Sequence, residues 1–416
     1  MTRLLYTLLF RTALPLIWLR LYLKGRKQPE YREHTGERRG FYTQSSDRPL
    51  IWVHAVSVGE TRAAEPLIRA LQTQYPDHRL LMTGMTPTGR EAGQKVYGDC
   101  LLQAYLPYDT PGAVRRFLDH FQPCLGILME TEIWPNLLAA CRQRGIPLML
   151  ANARLSAESA HGYEKLGRLA RDAFSGLCCA AAQTEEDARR LRSLGVSPVE
   201  VCGNLKFDVP LPEEMQTLGQ QWREAIGTRP VWLAASTREG EEERVLDAWQ
   251  GINAPEALLV LVPRHPQRFD EVAALLHRRG LPAVRRSQAL PDGETRVWLG
   301  DSMGEMVAYY TLADVAFIGG SLLPLGGQNL IEAAACGCPI LVGPHTFNFE
   351  QATEDALGCG AAQRVANADE LANATKLLLA SSGQREQMRR AALGFAAAHR
   401  GATERTMQLI LDLPIS

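Results

Sequence analysis

From residue 50 onward, short apolar runs alternate with stretches of helical spacing. Leu50-Ile51-Trp52-Val53 opens the series, an unbroken apolar run of the kind shown by a strand buried on both faces. The pattern breaks at Ser57-Val58-Gly59-Glu60, and from Thr61 it turns helical through Ala64, Leu67, Ile68 and Leu71. Further strands are predicted at 80–83, 101–106, 125–129, 147–151, 176–182 and 199–202, with helices at 61–74, 88–97, 111–120, 135–144 and 185–194 between them. Strand–helix alternation at this pitch predicts a parallel, doubly wound sheet. Pro210-Leu211-Pro212 interrupts it. A second series follows, with strands at 231–235, 258–262, 297–299, 315–318 and 339–342 and helices at 241–249, 268–279, 303–311 and 330–336. The expected architecture is α/β: two Rossmann-like halves whose facing sheets form a cleft suited to a small ligand.

Residues 1–23 form a different kind of segment, apolar and long enough to span a bilayer but interrupted by Arg3, Arg11, Arg20 and Pro15. A charge at mid-helix costs roughly 2.5–3.5 kcal/mol on insertion. No small-residue cleavage site follows, which disfavours a cleaved signal peptide. Basic residues from Lys24 to Arg39, with Trp18 and Tyr22, read as a cytoplasm-side anchor, spanning or interfacial. The expected divisions are an anchor helix at 1–24, an N-terminal Rossmann-like domain at 25–208, a linker region at 209–228 and a C-terminal Rossmann-like domain at 229–416. The last helix is a candidate to pack back on the first domain.

Composition narrows the chemistry. With 46% hydrophobic and 22% charged residues the chain is that of a folded protein, and its length of 416 residues favours two domains. A net charge of -1 gives no electrostatic support for a nucleic-acid partner. The nine cysteines are scattered, as in a reduced cytosolic protein, and Cys336-Gly-Cys338 has no matching Cys or His pair to make a zinc site. No GxGxxG follows the first strand of either half and no GxxxxGK[ST] occurs, so hydride transfer and P-loop hydrolysis lose their main supports.

The candidate chemistry lies at the carboxyl ends of the predicted strands, where open α/β sheets bind ligands. Glu60 follows the first strand and has two readings. Ser57-x-x-Glu60 is a capping box, and a helix N-terminus lowers a carboxylate's pKa. Desolvation by Trp52, Val56, Val58 or a lipid substrate raises it, towards the range of a general base. Met129-Glu130-Thr131-Glu132 and Asn152-Ala153-Arg154 end two other strands, and Lys206 lies in Gly203–Asp208 at the junction of the halves. In the second half, Pro263-Arg264 is a stiff cationic strand tip suited to phosphate. Gly319-Gly320-Ser321 and the helix start at Gly326–Glu332 offer close backbone approach and N–H groups to an anion. Glu332 is placed to accept from ribose hydroxyls. The loop Gly300–Glu305 offers backbone to a nucleobase.

Together these words resemble the Kdo (3-deoxy-D-manno-octulosonic acid) transferases of lipopolysaccharide synthesis, lipid A-specific. The similarity runs through Tyr31–Arg38, His54–Glu60, Thr86–Gly89, Tyr105–Asp109, Met129–Asn136, Asn152–Ser156, Gly203–Asp208, Val262–Phe269, Gly300–Glu305 and Gly326–Ala333. The resemblance implies a GT-B glycosyltransferase that moves Kdo from CMP-Kdo to lipid IVA with inversion. It also implies release of CMP, no metal or other cofactor, and a site on the cytoplasmic face of the inner membrane. Carried over, Glu60 is the general base, and Glu130 and Lys206 stabilise the transition state. Pro263, Arg264, Met303, Gly304, Glu305, Asn329, Leu330, Ile331 and Glu332 contact CMP. A UDP-sugar transferase or epimerase of the same architecture is the competing enzymatic reading. A membrane-anchored nucleotide-binding adaptor is the non-enzymatic one, and it leaves Glu60, Glu130 and Lys206 without a joint task.

Overall fold

The computed structural model describes residues 1–415. Two compact units emerge, one of Met1–Val209 joined by the chain from Arg400 onward, the other of Pro210–His399. Each is built on a seven-stranded sheet, parallel throughout. The first sheet contains β1 (Leu50–His54), β2 (Arg79–Gly84), β3 (Leu102–Tyr105), β4 (Pro123–Met129), β5 (Leu148–Ala153), β6 (Cys179–Ala182) and β7 (Val199–Val201), in the order β3-β2-β1-β4-β5-β6-β7. The second contains β8 (Val231–Thr237), β9 (Leu258–Pro263), β10 (Ala283–Arg285), β11 (Val297–Leu299), β12 (Val315–Ile318), β13 (Ile340–Val342) and β14 (Ala362–Arg364), in the order β10-β11-β9-β8-β12-β13-β14. These are the two doubly wound sheets expected from the alternation.

Helices cover both faces, which is why the central strands read as continuous apolar runs: every residue of β1, β5 and β9 is buried. Each buried aliphatic or Phe side chain contributes roughly 1.5–3 kcal/mol. The two edge strands β10 and β14 escaped the sequence pattern because they are short and half polar, Ala-Val-Arg and Ala-Gln-Arg.

Local differences have local causes. The helix expected over 61–74 is two, Val58–Ala63 and Glu65–Gln74, because Pro66 lacks an N–H to continue the first and suits the first turn of the second. The segment 209–228, read as a linker, instead carries a helix, Glu213–Ile226, that belongs to the second unit. Its Trp222 lies 5.0 Å from the rings of both Trp298 and Tyr309. The last helix, Ala402–Leu411, belongs with the first unit, the packing for which it was a candidate. Ala402, Met407 and Ile410 share a core with Ile51, Leu67, Ile68 and Leu71. Asp208 fixes the return by accepting the N–H groups of Gly401 and Thr403 at 2.8 and 2.6 Å.

The N-terminal helix runs Arg3–Lys27 and is long and apolar enough to cross a membrane by length and composition. It is also tied to the first unit along one stripe. Thr7 donates to Asn136 Oδ1 at 3.0 Å, and Trp18 meets Tyr108 edge-on at 5.3 Å. Leu4, Leu8, Leu16 and Leu19, on the other side, are exposed.

In the helix Glu213–Ile226, Gly219 sits where a Cβ would come within 2.5 Å of the Ala308 carbonyl oxygen and 2.6 Å of Thr311 Cβ. Backbone cannot yield there as a side chain can. Gly219→Ala should therefore destabilise the protein by about 1–3 kcal/mol despite alanine's better helix propensity. Denaturant unfolding checks this, and unchanged stability would show that the two helices separate freely.

Candidate functional site

In an open parallel sheet, the loops leave in opposite directions where the strand order reverses, opening a crevice at the strands' carboxyl ends. In the first sheet that point lies between β1 and β4. Glu60 follows β1 and Glu130 follows β4, so the sheet's own topology delivers both carboxylates to one crevice.

Glu60 makes the capping box that its spacing predicts. Ser57 Oγ accepts the Glu60 N–H at 3.2 Å, while Glu60 Oε1 accepts the Ser57 hydroxyl and Oε2 the Val56 N–H, each at 2.8 Å. Burial nevertheless raises its pKa, with Glu130 pushing the same way, against the Val56 N–H, the Ser57 hydroxyl and Lys206. The two readings of this residue are thus compatible: capping fixes the carboxylate's position, and desolvation outweighs the hydrogen bonds that the cap supplies.

Glu130 stands in the left-handed region at φ 56°, held by its N–H to the Ala151 carbonyl at 2.9 Å. Its Oε1 lies 3.3 Å from Lys206 Nζ, so two residues 76 positions apart meet as a half-buried ion pair. Lys206 sits in a 3-10 turn, Leu205–Phe207, whose Lys206 N–H is accepted by Asn204 Oδ1 at 3.0 Å. One member of this group is absent from the sequence-derived site. Glu132 is pushed up to about 7, first by burial and then by the charges of Glu60 and Glu130. Its signal in the sequence is the second acid of Glu130-Thr131-Glu132 at the end of a predicted strand.

In the second unit the reversal lies between β8 and β12, and a different carboxylate occupies the crevice. Glu241, fully buried, accepts the N–H groups of Gly320 (2.5 Å), Ser321 (3.0 Å), Leu322 (3.0 Å) and Arg238 (3.2 Å). Gly320, at φ 71°, makes the left-handed turn that aims those groups at it. The Gly319-Gly320-Ser321 turn is therefore filled by the protein's own anion and does not offer its N–H groups to a ligand.

The residues expected to contact CMP lie along the carboxyl edge of the second sheet. Arg264 follows β9, its N–H bonded to the Thr237 carbonyl at 2.9 Å and its Nε to Gln328 Oε1 at 3.3 Å. That bond joins the strand tip to the loop before Asn329. Met303 is exposed, and Gly304 has φ 88°. Glu305 Oε1 accepts from Arg286 at 2.9 Å and its other oxygen from Ser302. Asn329 Oδ1 accepts the Ile331 N–H at 3.0 Å, and its Nδ2 donates to Glu332 at 3.2 Å. Pro263, Leu330 and Ile331 are buried, the last two at 1% and 2% exposure, so their side chains build core. The helix there, Ile331–Ala335, is five residues long, and its first N–H is already accepted by Asn329 Oδ1.

Several other motif words turn out to be joints. Asp109 accepts the N–H groups of Asn136 (3.0 Å) and Leu137 (2.9 Å), so burial lifts its pKa only to about 6. Glu37 accepts the Tyr105 N–H and the Arg90 guanidinium, both at 2.7 Å.

Comparison with known proteins places this geometry in a family. Residues 33–209 match the model of the family described as 3-deoxy-D-manno-octulosonic-acid transferase (kdotransferase), and residues 285–394 match glycosyl transferases group 1. The chain is 46% identical to a 3-deoxy-D-manno-octulosonic acid transferase of Bordetella pertussis, over 98% of each chain. It is 40% identical to that of Haemophilus influenzae, over 99% of this chain and 98% of the other. Among solved structures, the UDP-GlcNAc 2-epimerase of Neisseria meningitidis bound to UDP-GlcNAc superposes with a TM-score of 0.61. It covers 88% of this chain and 100% of that one at 18% identity, a likeness of fold alone. With two parallel seven-stranded sheets of the GT-B type and relatives this similar over nearly their whole length, the chain belongs to the 3-deoxy-D-manno-octulosonic acid transferases, glycosyltransferases of lipopolysaccharide biosynthesis.

Proposed function

We propose that this transferase takes Kdo from CMP-Kdo and attaches it to lipid IVA, releasing CMP, at the cytoplasmic face of the inner membrane. The observation that carries the reading is the grouping of Glu60, Glu130 and Lys206 at the reversal point of the first sheet. Three motif words far apart in sequence meet there, one of them bearing a carboxylate whose desolvation favours taking up a proton.

In this reading Glu60 removes the proton from the acceptor hydroxyl as its oxygen bonds to the anomeric carbon. The bond from that carbon to the CMP phosphate oxygen breaks on the opposite face, and the configuration inverts. Positive charge develops on the sugar ring and negative charge on the departing phosphate. Glu130 and Lys206 act on the first charge as a pair, and Arg264 acts on the second. CMP leaves as a monophosphate ester, carrying less charge than a nucleoside diphosphate, so the chemistry calls for no metal and turnover should persist in EDTA. Met303, Gly304, Glu305, Asn329 and Glu332 hold the nucleotide, with Leu330, Ile331 and Pro263 shaping the loops beneath. The exposed leucines of the N-terminal helix, followed by basic residues, support a membrane anchor near the lipid acceptor.

Purified protein should release CMP from CMP-Kdo when lipid IVA is present, and should release UDP far less well when UDP-sugars replace the donor. Glu60→Gln should lower turnover by roughly 10²-fold or more while leaving CMP affinity intact. If that variant melts early and keeps its turnover, the residue is only a cap. Arg264→Ala should weaken CMP binding in calorimetry, and an unchanged Kd would refute its phosphate role.

Glu132 gives a pH signature. Its pKa of about 7 in the folded protein lies above the ordinary carboxyl value. The stabilisation this brings is complete below the unfolded-state pKa and is lost as pH rises through about 7. Glu132→Gln should therefore gain stability relative to wild type between about pH 5 and 8, by roughly 1–3 kcal/mol. Melting curves that run parallel across that range would contradict it.

A further inference from the structure

We infer that Asn152 is the positioning residue of the Glu130–Lys206 pair: a bulge at the end of β5 turns its carboxamide onto the backbone that carries Lys206. The inference rests on the catalytic reading of that pair.

The bulge is visible in the register. Leu150 is opposite Ala180 but Ala153 is opposite Ala182, so Ala151 and Asn152 together face Ala181. Such irregularities re-aim a side chain at the end of a strand. Asn152 sits there in the left-handed region at φ 53°, with 1% of its surface exposed. Its Oδ1 accepts the Leu205 N–H at 2.9 Å, fixing the first residue of the turn Leu205–Phe207. Its own carbonyl accepts from Gln183 Nε2 at 2.9 Å, which anchors the bulge from β6's side. The neighbouring carbonyl, Ala151, accepts the Glu130 N–H at 2.9 Å. Two consecutive residues of β5 thus hold both members of the pair, Glu130 through backbone and Lys206 through a side chain. Those members then meet at 3.3 Å.

The choice of residue argues for the side chain. Glycine satisfies this φ without steric cost and asparagine merely tolerates it. Asparagine also leaves its Nδ2 buried without a partner, a cost that glycine avoids. What asparagine supplies, and glycine cannot, is the acceptor for Leu205. With that bond gone, the first N–H of the turn loses its acceptor, while Asn204 Oδ1 still accepts the Lys206 N–H.

The test is a double-mutant cycle of Asn152→Gly and Lys206→Met, read by CMP release. Asn152→Gly relieves the backbone and should melt close to wild type, yet lose roughly 10- to 100-fold in kcat, the scale of a misplaced catalytic group. Added to Lys206→Met it should change little, because its effect passes through the lysine. Wild-type kcat in Asn152→Gly beside a crippled Lys206→Met overturns the inference and leaves the role of Lys206 standing. Losses that multiply in the double variant also overturn it, since they show a general packing effect. Full turnover in Lys206→Met sinks the catalytic reading, and this inference with it. Should Asn152→Gly not fold, Asn152→Asp keeps an acceptor oxygen at the same reach and should retain turnover near wild type. A loss in Asn152→Asp as large as that of Lys206→Met counts against the proposal.

Discussion

A buried carboxylate at the reversal of strand order is the feature on which both units turn. Parallel strands leave their last carbonyls and the next helices' first N–H groups at one edge, and reversal spreads two loops apart there. An acid is the natural occupant, because unpaired N–H groups and the helix start favour negative charge. In the Pro210–His399 unit that acid, Glu241, spends itself on four backbone N–H groups and becomes part of the scaffold. In the first unit Glu60 accepts only two donors at its carboxylate, Val56 N–H and the Ser57 hydroxyl. It also faces the charges of Glu130 and Lys206. The same topology thus yields a carboxylate ringed by four backbone N–H groups in one unit and a more lightly bonded one in the other, both raised in pKa by burial.

Left-handed backbone recurs at the ends of strands. Among the described residues, non-glycine residues at positive φ include Glu130, Asn152 and Ser236, at or near the ends of β4, β5 and β8. Each costs of order 1–3 kcal/mol and persists only where the surroundings over-determine it. For Glu130 the surroundings are the Ala151 carbonyl and Lys206; for Asn152 they are Leu205 and Gln183. These are also the contacts that give the candidate site its geometry.

Much of this was legible in advance where the signal was local. The apolar runs gave the central strands, since burial on both faces leaves no polar position to confuse the period. Ser57-x-x-Glu60 gave the cap. Other readings failed because they depended on who the neighbours are. Gly319-Gly320-Ser321 reads as an anion nest until Glu241 is seen to fill it. Pro210-Leu211-Pro212 reads as the start of a linker, yet a helix with a buried tryptophan follows at once.

What the sequence determined by itself is the alternation of strand and helix, the parallel doubly wound class and the inventory of charged words at strand ends. These follow from period, propensity and capping, which act over a few residues. Only the tertiary structure decided which of those words meet. The 76 positions between Glu130 and Lys206 are spanned by hydrogen bonds from β5, and the raised pKa of Glu132 arises from burial beside two acids distant along the chain or across a turn. Desolvation and charge act through space, so the second acid of Glu-Thr-Glu, unremarkable in its local sequence, is lifted to about 7 in the fold.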